Sequence, residues 1–135
     1  LPASSGHLMD FIAEVNGQRP LLGICLGHQA IVQQFGGKLS NLEAVLHGTV
    51  RTTRLIVDDD PVFKGMPSEF ETGHYHSWVA DAAFFPDCLR VMAVDQAGLI
   101  MAFRHREEDT IGLQFHPESI LTPFGPRILK NWVDS

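Results

Sequence analysis

Cys25 stands between two glycines in Gly23-Ile24-Cys25-Leu26-Gly27-His28-Gln29, and much later His116 and Glu118 stand two residues apart in Gln114-Phe115-His116-Pro117-Glu118-Ser119. A thiol becomes a nucleophile when a base takes its proton, and the base works best when a third group holds it. Residues two apart in an extended segment project to the same side, so Glu118 can orient the His116 imidazole, fix its tautomer and stabilise the imidazolium. Cys25, His116 and Glu118 are therefore the candidate catalytic set. Taken singly, a cysteine after a strand is usually core, a histidine at a strand end is usually structural, and Glu118 is an ordinary loop carboxylate. Together, at two strand ends and with flanking glycines, they point to nucleophilic hydrolysis or transfer.

The elements around them fit that chemistry. Pro20 and the apolar residues 21–24 predict a short strand buried on both faces, and residues 27–35 have helix length before Gly36-Gly37 stops them. Gly-x-Cys-x-Gly between strand and helix matches a nucleophile elbow with sulfur in place of a hydroxyl. A cysteine at the start of a helix meets partial positive charge, from which a thiolate and a thiol pKa below about 8.5 are expected. The run Thr110-Ile111-Gly112-Leu113-Gln114-Phe115 reads as a second buried strand and delivers His116 to its C-terminal end, where α/β sites form.

The rest of the chain supplies layers. Ser4 or Ser5 caps a predicted helix with Leu8, Phe11, Ile12 and Val15 on one face, ended by Asn16-Gly17. Residues 49–57 alternate as an antiparallel strand with one wet face, and Asp58-Asp59-Asp60-Pro61 reads as a solvated turn without the glycine and distant glutamate of a calcium loop. Residues 70–79 read as a surface loop that touches something. His74 and His76 in it lack a third zinc ligand of convincing spacing, so packing or partner contact is the better reading. Residues 88–94 and 99–104 flank Asp95-Gln96-Ala97-Gly98 as a β-hairpin, with Cys88 an ordinary, partly buried thiol. Pro126 opens a final helix with Ile128, Leu129, Trp132 and Val133 as its apolar face.

Composition narrows the function classes. The 135 residues are 44% hydrophobic and 9% aromatic, enough for one globular core. Ten Lys and Arg residues, unclustered, with a net charge of −6, do not make a nucleic-acid surface. No apolar run reaches membrane-spanning length and no signal-peptide pattern opens the chain, so a cytoplasmic location and reduced thiols at Cys25 and Cys88 are expected.

The two signatures around Cys25 and His116 strongly resemble those of the class I, triad-type glutamine amidotransferases. Leu46-His47-Gly48, Tyr75-His76-Ser77 and Glu118-Ser119-Ile120-Leu121-Thr122 resemble the amidotransferase subunits of anthranilate synthase and aminodeoxychorismate synthase in particular. The resemblance covers nearly the whole chain, read as one amidotransferase domain over residues 1–135. It implies an α/β, flavodoxin-like mixed sheet with helices on both faces. It implies that Cys25 attacks the side-chain amide of glutamine, that ammonia passes to a chorismate-binding partner, and that tryptophan biosynthesis is the favoured pathway, with the folate-directed partner as alternative. It further implies that Gln29 and the backbone of Ser77 and Trp78 hold glutamine, that the Leu26 N–H serves the oxyanion hole, and that this subunit needs no cofactor or metal. The segments near His47 and residues 75–78 are the expected partner surface.

Trp78 stands where many family members have leucine. Residues 1–6 look like the stretch just after the family's Gly-Pro-Gly loop, so that loop and the first strands are expected upstream of Leu1. Loss of one oxyanion donor costs on the order of 10² to 10³ in turnover. The chain alone is accordingly expected to be weakly active, inactive or unstable, and the intact protein a glutaminase. Two other readings compete: a docking or regulatory subunit, which would not need all three catalytic residues, and a dienelactone-type hydrolase, whose acid precedes its histidine in sequence.

Overall fold

The computed structural model describes residues 8–15, 17–42 and 46–135. The proposed cap at Ser4 or Ser5 and the stop at Asn16 lie outside them. In chain order the main elements are α1 (Leu8–Val15), β1 (Leu21–Ile24), α2 (Leu26–Gln34), β2 (Leu39–Asn41), β3 (Thr49–Leu55), β4 (Glu69–His74), β5 (Trp78–Ala80), β6 (Leu89–Asp95), β7 (Ile100–His105), β8 (Thr110–Leu113) and α3 (Gly125–Asp134).

Six strands form one mixed sheet in the order β1-β8-β7-β6-β3-β4, and β2 pairs with β5 in a separate two-stranded sheet. Among the described residues only β1 and β8 run parallel, in the register Gly23↔Gly112 and Ile24↔Leu113. The β6–β7 hairpin forms as its Asp95-Gln96-Ala97-Gly98 turn predicts: Asp95 Oδ1 accepts the Ala97 and Leu99 N–H groups, and Asp95 Oδ2 pairs with Arg51 Nε on β3 at 2.7 Å.

Side chains from the sheet enter two cores. Met101, Ile111, Leu113 and Phe115 join Val62, Phe63, Phe70 and Ile128 of α3 on one face. Ile100 and Phe103 join Ile12 of α1 and Ala30, Ile31 and Val32 of α2 on the other. Helices thus cover both faces, as expected of the family fold.

Four local expectations are corrected. β1 is half-buried rather than buried on both faces, because among the described residues it is an edge strand paired only with β8. Asp60 does not sit in a solvated turn: it accepts the Val62 N–H and pairs through both oxygens with Arg104, which also reaches Asp109. Residues 70–79 are largely strand, in β4 and β5, and His74 and His76 are buried. Val133 is 72% exposed, so Ile128 carries the buried face of α3 while Leu129 and Trp132 are half-buried.

The buried histidines tie strands together. Thr53 Oγ1, Thr72 Oγ1, His74 and His76 form a line of side-chain hydrogen bonds of 2.9, 2.7 and 2.8 Å. On the opposite side His28 is fully buried against Phe103, ring centroids 4.7 Å apart. Burial, above all, depresses His28 and His74 to about 3 and His76 to about 4.

This packing has two measurable consequences. A Cβ on Gly23 would lie 2.7 Å from both the Gly27 carbonyl carbon and Ile31 Cδ1, whereas one on Gly27 would meet nothing within 4 Å. Gly23→Ala should therefore cost about 1–3 kcal/mol of stability and Gly27→Ala should be neutral or slightly stabilising, as read from denaturant midpoints. Unfolded imidazoles take up protons near pH 6.5, which the three folded ones refuse until the pH is much lower. Stability should be fully present above that value and fall as the pH drops towards 4, by about 2.5 kcal/mol per histidine at pH 4.5. Equal urea midpoints at pH 7 and 4.5 would contradict this.

Candidate active site

The parallel ladder between β1 and β8 ends on the nucleophile candidate. The Cys25 N–H donates to the Leu113 carbonyl at 2.7 Å, and the Cys25 carbonyl accepts the Gln29 N–H at 3.1 Å as α2 begins. Between these anchors Cys25 is held at φ +51°, ψ −99°, the sole non-glycine positive φ among the described residues. Such a conformation costs on the order of 1–3 kcal/mol and survives only where its surroundings over-determine it. Here a strand end, a helix start and the tight Gly23–Gly27 crossing do so. The open space beside Gly27 lies on the first turn of α2, one residue beyond Leu26.

The thiol environment differs from the sequence expectation. Burial pushes the Cys25 thiol above its ordinary value, and the Glu118 charge adds to that; the Leu26 N–H and the Gln114 side chain act in the opposite direction. The helix-start amide does favour thiolate, but desolvation outweighs it. Burial thus works against the thiolate, and attack calls for a base to take the proton.

His116 is supplied by the chain leaving β8. Its Nδ1 lies 2.6 Å from Glu118 Oε1, the geometry of an oriented imidazole with Nε2 left for chemistry. A second set of bonds fixes the backbone of this turn to β4. The His116 N–H donates to the Gly73 carbonyl at 3.1 Å, the Gly73 N–H donates to Thr122 Oγ1 at 2.8 Å, and Thr122 Oγ1 donates to the His116 carbonyl at 2.8 Å. A Cβ on Gly73 would lie 2.7 Å from Leu121 Cβ, so the close approach needs glycine. The Tyr75 ring packs at right angles to His116, centroids 5.2 Å apart, with its hydroxyl 3.2 Å from Ser119 Oγ.

The expected glutamine-holding residues converge on the same elbow. Gln29 Nε2 donates to the Trp78 carbonyl at 2.8 Å and to Gln114 Oε1 at 3.3 Å, and Gln114 Nε2 donates to Cys25 Sγ at 3.7 Å. Ser77 is anchored from behind, its carbonyl accepting the Leu42 N–H at 2.6 Å. Leu26, directly after Cys25, directs its N–H at the sulfur and exposes its side chain. A cavity of about 860 Å³ between Leu55 and Ser68 contains none of these residues. Among the described residues no group of three or more His, Cys, Asp or Glu is arranged to hold a metal, and no helix is long and apolar enough to cross a membrane. Cys88 is a half-buried free thiol with no part in the cluster.

Three contributors escaped the sequence reading: Gln114, Thr122 and Gly73. A signal existed for Gln114, since period-two geometry puts it on the same side as His116 at the end of a buried strand. None existed for Gly73 and Thr122, whose roles depend on β4 meeting the turn after β8.

The sequence and the fold have relatives among known proteins. The family described as glutamine amidotransferase class-I matches residues 2–135. The chain is 44% identical over 135 residues to anthranilate synthase component 2 of Azospirillum brasilense, covering 99% of this chain and 68% of that protein. It is 39% identical over 132 residues to aminodeoxychorismate synthase component 2 of Escherichia coli, covering 98% and 70%, and 37% identical over 134 residues to aminodeoxychorismate/anthranilate synthase component 2 of Bacillus subtilis, covering 99% and 68%. A solved Thermoplasma acidophilum protein described as a GMP synthase subunit superposes with a TM-score of 0.83 at 26% identity, over 96% of this chain and 62% of that one. With its elbow, its mixed sheet and matches that run almost end to end, the chain belongs to the class I glutamine amidotransferase family.

Proposed function

We propose that this chain is the glutamine-hydrolysing part of an amidotransferase and that its ammonia is used by a chorismate-binding synthase subunit, in the first instance one that makes anthranilate on the way to tryptophan. The observation that carries the reading is the pairing of a strained Cys25 at the end of β1 with an oriented His116–Glu118 pair delivered by the adjacent parallel strand. The names of the relatives in Azospirillum brasilense and Escherichia coli support anthranilate and aminodeoxychorismate partners respectively. A second reading, with the aminodeoxychorismate partner, therefore stands beside the first.

In this reading glutamine enters beside Gly27, held by Gln29 and the Ser77 and Trp78 backbone. The Cys25 thiol gives its proton to His116 Nε2 as Sγ attacks the carboxamide carbon. The negative charge on the carboxamide oxygen develops near the Leu26 N–H, where a helix-start amide stabilises it. His116 returns the proton to the leaving nitrogen, the C–N bond breaks, and ammonia departs. Water then adds to the glutamyl thioester, giving its proton to His116, and the C–S bond breaks to release glutamate and the thiol. Glu118 keeps the imidazole oriented and stabilises its charged form throughout.

The direct test is glutamine hydrolysis by the protein with each chorismate-binding subunit and chorismate. Glutamate release should require Cys25, fall at least 10³-fold in Cys25→Ala, and yield the aminated product of only the true partner. Absence of release with both partners would remove the reading.

Glu118 offers a sharper prediction, because its two effects have opposite signs. Its charge raises the thiol, so Glu118→Gln should make Cys25 alkylate faster at any fixed pH below its titration. The same change removes the carboxylate that orients His116, so glutamine turnover should fall by about 10²-fold or more. Parallel losses in alkylation and turnover would contradict the assigned roles.

A further inference from the structure

The hydrogen-bond polarity of two buried amides near the sulfur is set by a backbone group that has no alternative. The Trp78 carbonyl can only accept, so the group that Gln29 presents to it, at 2.8 Å, is the amide nitrogen. The second proton of that nitrogen faces Gln114, at 3.3 Å, which must present its oxygen. The nitrogen of Gln114 is then committed to Cys25 Sγ, at 3.7 Å. Gln114 is fully buried and Gln29 is 4% exposed, so water does not scramble this order.

We infer that Gln114 is a further catalytic residue for the glutaminase reaction proposed above, donating a side-chain N–H to the sulfur of Cys25 as it becomes the attacking anion and, through Gln29, coupling that anion to the orientation of the substrate-holding amide. Donation runs outward from the Gln29 nitrogen, to the Trp78 carbonyl on one side and by way of Gln114 to the sulfur on the other, and it suits a sulfur that carries negative charge: a thiolate accepts and cannot donate. A reversed Gln114 would set its nitrogen against the nitrogen of Gln29, losing that contact, and would aim at the sulfur an oxygen that only the neutral thiol, and not the thiolate, could engage. The same order leaves Gln29 Oε1 as its acceptor towards a ligand. The sulfur is pulled towards thiolate by Gln114 and by the Leu26 N–H, the two donors that oppose burial. Covalent accounting is unchanged: the thiol proton still goes to His116, and Gln114 lends a hydrogen bond without losing its proton.

This inference rests on the glutaminase reading for its catalytic meaning, but the relay can be measured without turnover. In the wild-type protein, the side-chain NH₂ resonances of Gln114 and Gln29 should both shift with pH, with one shared inflection at the titration of Cys25, and the inflection should vanish in Cys25→Ala. Amide resonances that ignore the thiol titration would overturn the relay even if glutamine is hydrolysed. Conversely, a shared inflection in a protein that hydrolyses no glutamine would leave the relay intact and remove only its catalytic purpose. Gln114→Leu should leave about tenfold less thiolate at a fixed pH, seen as about tenfold slower alkylation of Cys25. It should also lower kcat about tenfold or more and raise KM, because Gln29 loses its fixed neighbour. Unchanged alkylation in a folded Gln114→Leu protein would contradict the donor role, and should that variant fail to fold, the wild-type titration decides.

Discussion

One backbone hydrogen bond, from the Cys25 N–H to the Leu113 carbonyl, joins the fold to the chemistry. It is the last rung of the parallel ladder between β1 and β8, and it stops the chain at the point where α2 must begin. A strand that ends paired, followed at once by a helix packed back over Gly23, leaves the intervening residue few conformations. Cys25 accepts a positive φ as a result. The strain is local and modest, and the two cores on either side of the sheet hold it in place. Without β8 beside β1, the elbow would lose the carbonyl that anchors it, and the chain that carries His116 would not leave from the neighbouring strand.

The electrostatics of the site place the proton rather than remove it. Burial disfavours the anion on sulfur and the Glu118 charge reinforces that, while two N–H donors act in the opposite direction. Glu118 therefore touches both groups: its charge discourages the anion on sulfur, and its carboxylate holds the His116 ring at Nδ1. The bonds that fix His116 to Gly73 and Thr122 keep this balance geometric, because they hold the backbone of the turn independently of the carboxylate.

Much of this was legible in the sequence. The elbow could be read because Gly-x-Cys-x-Gly sits between a strand-length apolar run and a helix-length one, and the His116–Glu118 pair because two-residue spacing at a strand end has one geometric outcome. The hairpin at residues 95–98 was legible for the same local reason. What failed was decided by tertiary contact. Residues 70–79 look like a polar loop, yet His74 and His76 are buried because Thr53 and Thr72 on neighbouring strands satisfy the line they form. The thiol was misjudged because the helix start is visible in sequence and the desolvation over it is not. Asp60 looked solvated because its partner, Arg104, lies on a strand far along the chain.

The central claim is that Cys25, and not Cys88, is the nucleophile that meets the side-chain carbon of glutamine. Its most direct test is intact-mass and peptide mapping after exposure to a glutamine analogue carrying an electrophilic carbon in place of the amide. One equivalent should attach at Cys25, excess glutamine should block it, and Cys88 should stay free. Labelling of Cys88, or labelling of Cys25 that glutamine does not suppress, would contradict the account.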